Sequence, residues 1–185
     1  MTGRRELLDS TLRFRGQFLE VTVDWVRLPN GKESRRETVL HPGAAAVVPV
    51  DGGRALLVRQ HRHAVGIELL ELPAGKLDEP GESPEACARR ELEEETGYRC
   101  AELELLSRIF TSPGFTDEVI YVFLAPQIEQ VGPPPGDDEG EPLSLEWVDL
   151  REVVRLILDG SISDAKTIIG LLLALERMGP GGTGP

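Results

Sequence analysis

Hydrophobic and polar positions along the chain fall into three regimes. From Phe18 to Leu28, β-branched and aromatic residues alternate in part with polar ones, the period of a half-buried strand. Pro29-Asn30-Gly31-Lys32 follows, and Asn-Gly is a strong hairpin turn signal. Arg35 to Leu40 then returns as the partner strand. Residues 1–41 therefore predict a small antiparallel sheet, too small to stand alone, which packs on the main domain or on a second subunit.

The second regime, from about Gly43 to Val148 in a main domain expected to span residues 42–178, is richer in short apolar runs. Ala44–Val50 is continuously apolar, Asp51-Gly52-Gly53 turns, and Arg54–Arg62 and Ile67–Leu72 read as strands. Ser83–Thr96 reads as a helix, and Ala101–Phe110, Val119–Ala125 and Leu143–Val148 as further strands. The third regime is helical, with three- and four-residue apolar spacings over Leu150–Leu158 and Asp164–Met178. The glycine- and proline-rich tail at 179–185 is expected to be disordered. Strands with a helix set among them predict an α+β chain or a three-layer mixed fold.

Composition narrows this picture. At 185 residues the chain has the size of one domain, or one domain with an added element. Aromatics supply only 5% of residues, so aliphatic side chains must fill the core. There is no apolar run long enough for a membrane span, and MTGRRELLDS has no secretory-type apolar stretch. Cys87 and Cys100 form neither a disulfide framework nor a zinc site by themselves, so a reduced, cytoplasmic setting is expected. A net charge of -12 repels nucleic acid and anionic membranes. Any phosphate substrate then requires local cations, from arginines, a metal or both.

Candidate chemistry concentrates between Leu72 and Tyr98. Ser83 suits an N-cap, Pro84 the first helical position, and Gly97 the C-terminal stop. Glu91, Glu94 and Glu95 sit three and four apart, on one helix face. Like charges at this spacing destabilise a helix by roughly 0.2–0.5 kcal/mol per pair. Mg²⁺ takes oxygen ligands and combines one or two carboxylates with water and phosphate, so this face suits it. Taken alone, a glutamate-rich face is more often simply solvated.

The surroundings shift that balance. Arg90-Glu91-Leu92-Glu93-Glu94-Glu95-Thr96-Gly97-Tyr98, with Glu82 seven intervening residues before Arg90, resembles the signature box of the Nudix hydrolases. One departure stands out: six residues, not five, separate Gly75 from Glu82, the extra one falling in the turn Asp78-Glu79-Pro80-Gly81. The resemblance implies an α/β/α sandwich around a mixed β-sheet. It implies a metal site of Glu82, Glu91, Glu94, Glu95 and the carbonyl of Ala74, with Mg²⁺ as the ion and Mn²⁺ as its alternative. Arg90 would orient the glutamates.

Outside the box, the similarity is to the ADP-ribose pyrophosphatase branch. Pro113 lies sixteen residues past Gly97, within Thr111-Ser112-Pro113-Gly114-Phe115-Thr116-Asp117-Glu118, and Val58-Arg59-Gln60-His61-Arg62 and Glu71-Leu72-Pro73-Ala74-Gly75 lead into the box. By that likeness Arg36 and Glu37 contact the base, Pro113, Gly114 and Phe115 contact substrate, and the N-terminal sheet exchanges with a second subunit to make a homodimer. An acidic protein that binds phosphates needs arginines, so Arg62 is a candidate phosphate contact, with flanking a strand end as its alternative; Pro113-Gly114 is also a turn signal in its own right. Trp25 is suited equally to stacking or to packing, and His41, His61 and His63 show no metal-ligand spacing. The acidic run Gly136-Asp137-Asp138-Glu139-Gly140-Glu141-Pro142 resembles the loop that supplies the general base, at Glu139 or Glu141. A Mg²⁺-dependent hydrolase converting ADP-ribose to AMP and ribose 5-phosphate is the leading expectation. The alternatives are a hydrolase of another nucleoside diphosphate sugar, such as a GDP-sugar, or a catalytically silent nucleotide sensor, which would be expected to lose box glutamates.

Overall fold

A computed structural model describes residues 5–133 and 143–179. The described residues include twelve strands, β1 (Glu6–Arg15), β2 (Glu20–Arg27), β3 (Glu33–Leu40), β4 (Ala44–Asp51), β5 (Arg54–Arg62), β6 (Ile67–Glu71), β7 (Ala74–Lys76), β8 (Tyr98–Arg99), β9 (Glu104–Phe110), β10 (Val119–Ala125), β11 (Glu129–Gln130) and β12 (Ser144–Asp149). The helices are α1 (Pro84–Thr96), α2 (Val153–Leu158), reached through a 3-10 turn at Leu150–Glu152, and α3 (Ala165–Met178).

The chain divides into two compact units. One comprises residues 1–43 with Phe110–Val119, the other residues 44–109 with 120–185.

In the first unit, β1-β2-β3 form an antiparallel sheet. Asn30-Gly31 sits in the β2–β3 turn, where Leu28 N–H donates to the Lys32 carbonyl at 2.8 Å. The hairpin was legible in the sequence, but β1 was not. Its burial pattern is exposed along nearly its whole length, and its ladder shifts register between Leu7 and Asp9 and again between Leu12 and Phe14. A strand with no buried face leaves no period-two signal. The loop from 111 to 118 ties back to this sheet: Val39 N–H donates to the Phe115 carbonyl at 2.7 Å and Asp117 N–H to the Val39 carbonyl at 3.2 Å.

The second unit is the α/β/α sandwich that the resemblance implied. Its sheet runs β12-β5-β4-β10-β9, with β6 on β5 and β7 on β4. It is mixed: β10 lies parallel to β4, whereas β5 is antiparallel to β12, β4 and β6. Alternate residues divide the core. Ala45 and Val47 of β4, Leu56 of β5, and Phe123 and Ala125 of β10 face Cys87, Ala88 and Leu92 of α1. Ala46, Val48 and Val50, Leu57, and Val122 and Leu124 face Leu171, Ala174 and Met178 of α3. Two covered faces explain why residues 44–50 read as one unbroken apolar run.

Two details position the site. First, β4 and β5 pair only at Val50 with Ala55 and Asp51 with Arg54, then part. The chain therefore crosses from β5, where Glu71 pairs with Val58, to β4, where Ala74 pairs with Ala46. Pro73 lies at the crossing and its carbonyl accepts from Val47 N–H at 3.0 Å. Second, α3 packs closely because Gly170 has no side chain; a Cβ there would stand 2.6 Å from Leu72 Cδ1 and 3.1 Å from Val48 Cγ2 and Val122 Cγ1.

Gly170→Val should overpack this seam and destabilise the protein by about 1–3 kcal/mol. Urea denaturation should show a lower midpoint with an unchanged slope.

Candidate active site

Helix α1 begins as its sequence dictates. Ser83 Oγ accepts from Ala86 N–H at 3.1 Å and Pro84 opens the first turn. It ends at Gly97, whose φ of +73° is left-handed and favours glycine. A Cβ at Gly97 would also lie 2.4 Å from the Gly132 carbonyl, so this turn and the segment after β11 require each other.

One cation organises the acidic face of α1. Arg90 donates Nε and Nη2 to the two carboxylate oxygens of Glu82 at 3.0 and 3.1 Å. Its Nη1 donates to Glu91 at 2.7 Å and to Glu94 at 2.9 Å. The Arg90 bonds hold the Glu82 carboxyl below the usual carboxylate range. The additional residue before Glu82 leaves this fork intact. It is absorbed in a turn in which Glu82 N–H donates to the Glu79 carbonyl at 3.1 Å, with Gly81 at φ +80°.

Glu91 and a further glutamate, Glu95, point into the protein. Glu91 is 6% exposed and Glu95 7%. Glu91 approaches the backbone so closely that a Cβ on Gly75 would lie 1.8 Å from its Oε1. Glu95 Oε2 accepts from Ala74 N–H at 3.1 Å. Burial, and then the charge of Glu91, push the Glu95 carboxyl up to about 8 despite that bond. Cys87 beneath them is also pushed up by burial and by Glu91, to about 12. Among the described residues, no three His, Cys, Asp or Glu side chains are arranged to close on one ion; Glu82, Glu91 and Glu94 instead share Arg90. An open depression of about 450 Å³ adjoins this face, lined by Arg90, Glu93, Glu94, Gly97 and Val131–Pro133. Pro133 is the last described residue before the acidic run, so Glu139 and Glu141 lie outside the described residues.

A second cluster, of which only Arg62 was a candidate from the sequence, surrounds the strand crossing. Glu71 is 1% exposed. Arg62 donates Nε to its Oε1 at 2.8 Å and Nη2 to its Oε2 at 2.7 Å. Lys166 Nζ also donates to Glu71 Oε2 and reaches Asp164 at 3.0 Å. Asp164 caps α3 by accepting from Thr167 N–H at 2.9 Å and Thr167 Oγ1 at 2.6 Å, and that hydroxyl accepts from Leu72 N–H at 2.9 Å. Burial alone would raise the Glu71 carboxyl, but the paired Arg62 bonds and the Lys166 charge outweigh it and bring it down to about 2. The signal in the sequence was a lone carboxylate closing the apolar strand Ile67–Leu72, and an Asp-Ala-Lys-Thr helix start.

The remaining candidates belong to the first unit. Arg36 and Glu37 are exposed on β3, where Arg36 Nη1 donates to Ser34 Oγ and to the Arg35 carbonyl, and Glu37 accepts from Arg35 Nη2 at 2.8 Å. Pro113 and Gly114 lie in a turn in which Phe115 N–H donates to the Ser112 carbonyl at 3.1 Å, and the Phe115 ring is exposed. Trp25 on β2 is also exposed rather than packed in a core.

Known proteins resemble this chain in sequence and fold. A family model for the NUDIX domain matches residues 39–169. The ADP-ribose pyrophosphatase of Bacillus subtilis (strain 168) is 44% identical over 83% of this chain and 83% of its own. That of Mycobacterium tuberculosis (strain ATCC 25618 / H37Rv) is 38% identical over 90% of this chain and 81% of its own. The fold matches a crystal structure of an ADP compounds hydrolase at a TM-score of 0.86, with 23% identity and 96% of each chain covered.

The Glu71 cluster sets an acid limit on stability. Unfolded, Glu71 takes up its proton near 4.5, and folded near 2. Between those values the unfolded state binds more protons, so stability falls as pH falls. The contribution is about 3 kcal/mol above pH 4.5 and is gone below pH 2. Urea melts at pH 7 and pH 3 should show a smaller decline in Glu71→Gln than in the parent, from a lower starting point.

Proposed function

The chain belongs to the NUDIX family, and on that premise we propose that it hydrolyses the diphosphate bond of ADP-ribose, giving AMP and ribose 5-phosphate. The observation that carries this reading is the Arg90-ordered carboxylate face set against Gly75. The names of the 44% and 38% identical relatives support the choice of substrate.

The donor set suits a hard divalent cation. It is entirely carboxylate and carbonyl oxygen, and two of its acids are buried side by side, so that Glu95 resists ionisation without a counter-charge. In this reading Glu82, Glu91, Glu94, Glu95 and the Ala74 carbonyl hold Mg²⁺, or Mn²⁺ in its place. When bound, such an ion neutralises phosphate oxygens and makes water a better nucleophile at neutral pH.

The protein's own groups do the rest. Arg90 fixes the relative positions of Glu82, Glu91 and Glu94 through charge-assisted bonds. Arg62, half-exposed, binds the diphosphate. Arg36 and Glu37 contact the base, and Pro113, Gly114 and Phe115 line the substrate site. Glu139 or Glu141 accepts the proton of the attacking water. Residues 1–41 serve as the dimerisation sheet of a homodimer; Leu7, Phe14, Phe18 and Trp25 leave apolar surface exposed on that unit, which supports pairing with a second copy. Free thiols at Cys87 and Cys100 are consistent with a cytoplasmic enzyme, and among the described residues no helix is long and apolar enough to cross a membrane.

Purified protein supplied with ADP-ribose, GDP-mannose or diadenosine polyphosphates, each with and without Mg²⁺, tests the assignment. Metal-dependent AMP release from ADP-ribose is expected. Preference for GDP-mannose would move the chain to the GDP-sugar alternative, and tight binding without turnover would make it a sensor. Glu95→Gln should lower kcat more than about 100-fold while cooperative melting survives. Gly75→Ala should displace Glu91 and cost about 100-fold in kcat/KM, and steady-state assays of both variants check this.

A further inference from the structure

We propose that Glu71 is a positioning residue for the substrate diphosphate: it holds the Arg62 guanidinium in the orientation that meets the phosphates, and Lys166 holds Glu71. The inference rests on the reading of the chain as an ADP-ribose hydrolase with Arg62 at the diphosphate.

The geometry restricts what Glu71 can do. Its side chain is 1% exposed and its two oxygens are taken by Arg62 and Lys166, so it acts on substrate only through a neighbour. Nor does the packing of the strand call for a charge at this position. Leu70 and Leu72 on either side are buried apolar residues, as is Val58 opposite, and an apolar side chain here would avoid the desolvation of a buried charge. Arg62 gains what Glu71 costs. Its side chain is 40% exposed, which ordinarily leaves an arginine free to rotate. The two-point bond through Nε and Nη2 locks one edge of the guanidinium against the protein and turns Nη1 away from the carboxylate.

The cluster is a holder and not a source of positive field. Arg62 and Lys166 are balanced by Glu71 and Asp164. Its remaining contacts reach the same short segment that the metal reading uses: Thr167 fixes Leu72 N–H and Glu95 fixes Ala74 N–H. Arg62 and the Ala74 carbonyl are thereby set by one connected network, which keeps a phosphate contact and a candidate metal ligand in constant register.

The test is a double-mutant cycle on ADP-ribose hydrolysis at saturating Mg²⁺, with kcat and KM measured for the parent, Glu71→Gln, Arg62→Ala and the double variant, each checked for folding by its melting curve. Glu71→Gln should raise KM about 10-fold with kcat within about threefold, because the contact is made in the ground state as well. The double variant should be no worse than Arg62→Ala, because Glu71 acts through Arg62. An unchanged KM in Glu71→Gln, or effects that add in the double variant, would overturn the proposal. Should Glu71→Gln not fold, Lys166→Met in the same cycle reads the same coupling: a KM rise that vanishes in the Arg62→Ala background supports the proposal, and an additive one overturns it. A parent protein that fails to turn over ADP-ribose would instead overturn the functional reading itself, an outcome separate from any difference among variants.

Discussion

Stacked carboxylates on one helix face repel, and the site exists because a single guanidinium offsets that repulsion. Arg90 reaches forward to Glu94 on its own helix, sideways to Glu91, and back across the turn to Glu82. Without it, α1 would carry like charges at helical spacing that disfavour the helix. With it, three acids are held in fixed relation although the loop before them has an extra residue. The fork to Glu82 spans that loop from outside, so its length is free to vary while the acid it delivers is not.

Glu91 is also constrained from inside, as is Glu95. Both are buried on α1, as are Cys87, Ala88 and Leu92, which fasten the helix to the sheet. Burying a carboxylate is unfavourable unless it is paired, so the backbone of residues 74–76 must come to them. It does so because β4 and β5 part after their turn and the chain crosses between them at Pro73. Gly75 then allows an approach that any side chain would block. The mixed sheet thus shapes the candidate site, since the split between its strands delivers the Ala74 amide to Glu95 on the helix.

Much of this was legible in the sequence. The box helix, its caps and the strands from 44 to 62 follow from local signals that tertiary packing reinforces. What could not be read had no local signal. Strand β1 is exposed along both faces, so its pairing with β2 decides its conformation. Strands β7, β8 and β11 are two or three residues long and exist only as partners of other segments. The Glu71 cluster joins residues up to 95 positions apart, and sequence spacing says nothing about contacts of that range. Glu71 was visible only as a polar exception at the end of an apolar strand.

Such exceptions carry a general argument. Sequences that fold well agree with local rules almost everywhere, and departures cluster where function demands them. Among the described residues of the second unit the buried charged side chains are Glu71, Glu91 and Glu95, and all three bear on the crossing at 71–76 or on the helix facing it. Each carries a desolvation cost that an aliphatic residue would not, offset only by the partners that surround it. Their coincidence at one place in a chain that otherwise fills its core with valine, leucine and alanine is hard to account for by packing. It follows if this segment is where carboxylates are held for a divalent cation and for the arginine that meets phosphate, an anion that the rest of an acidic surface would repel.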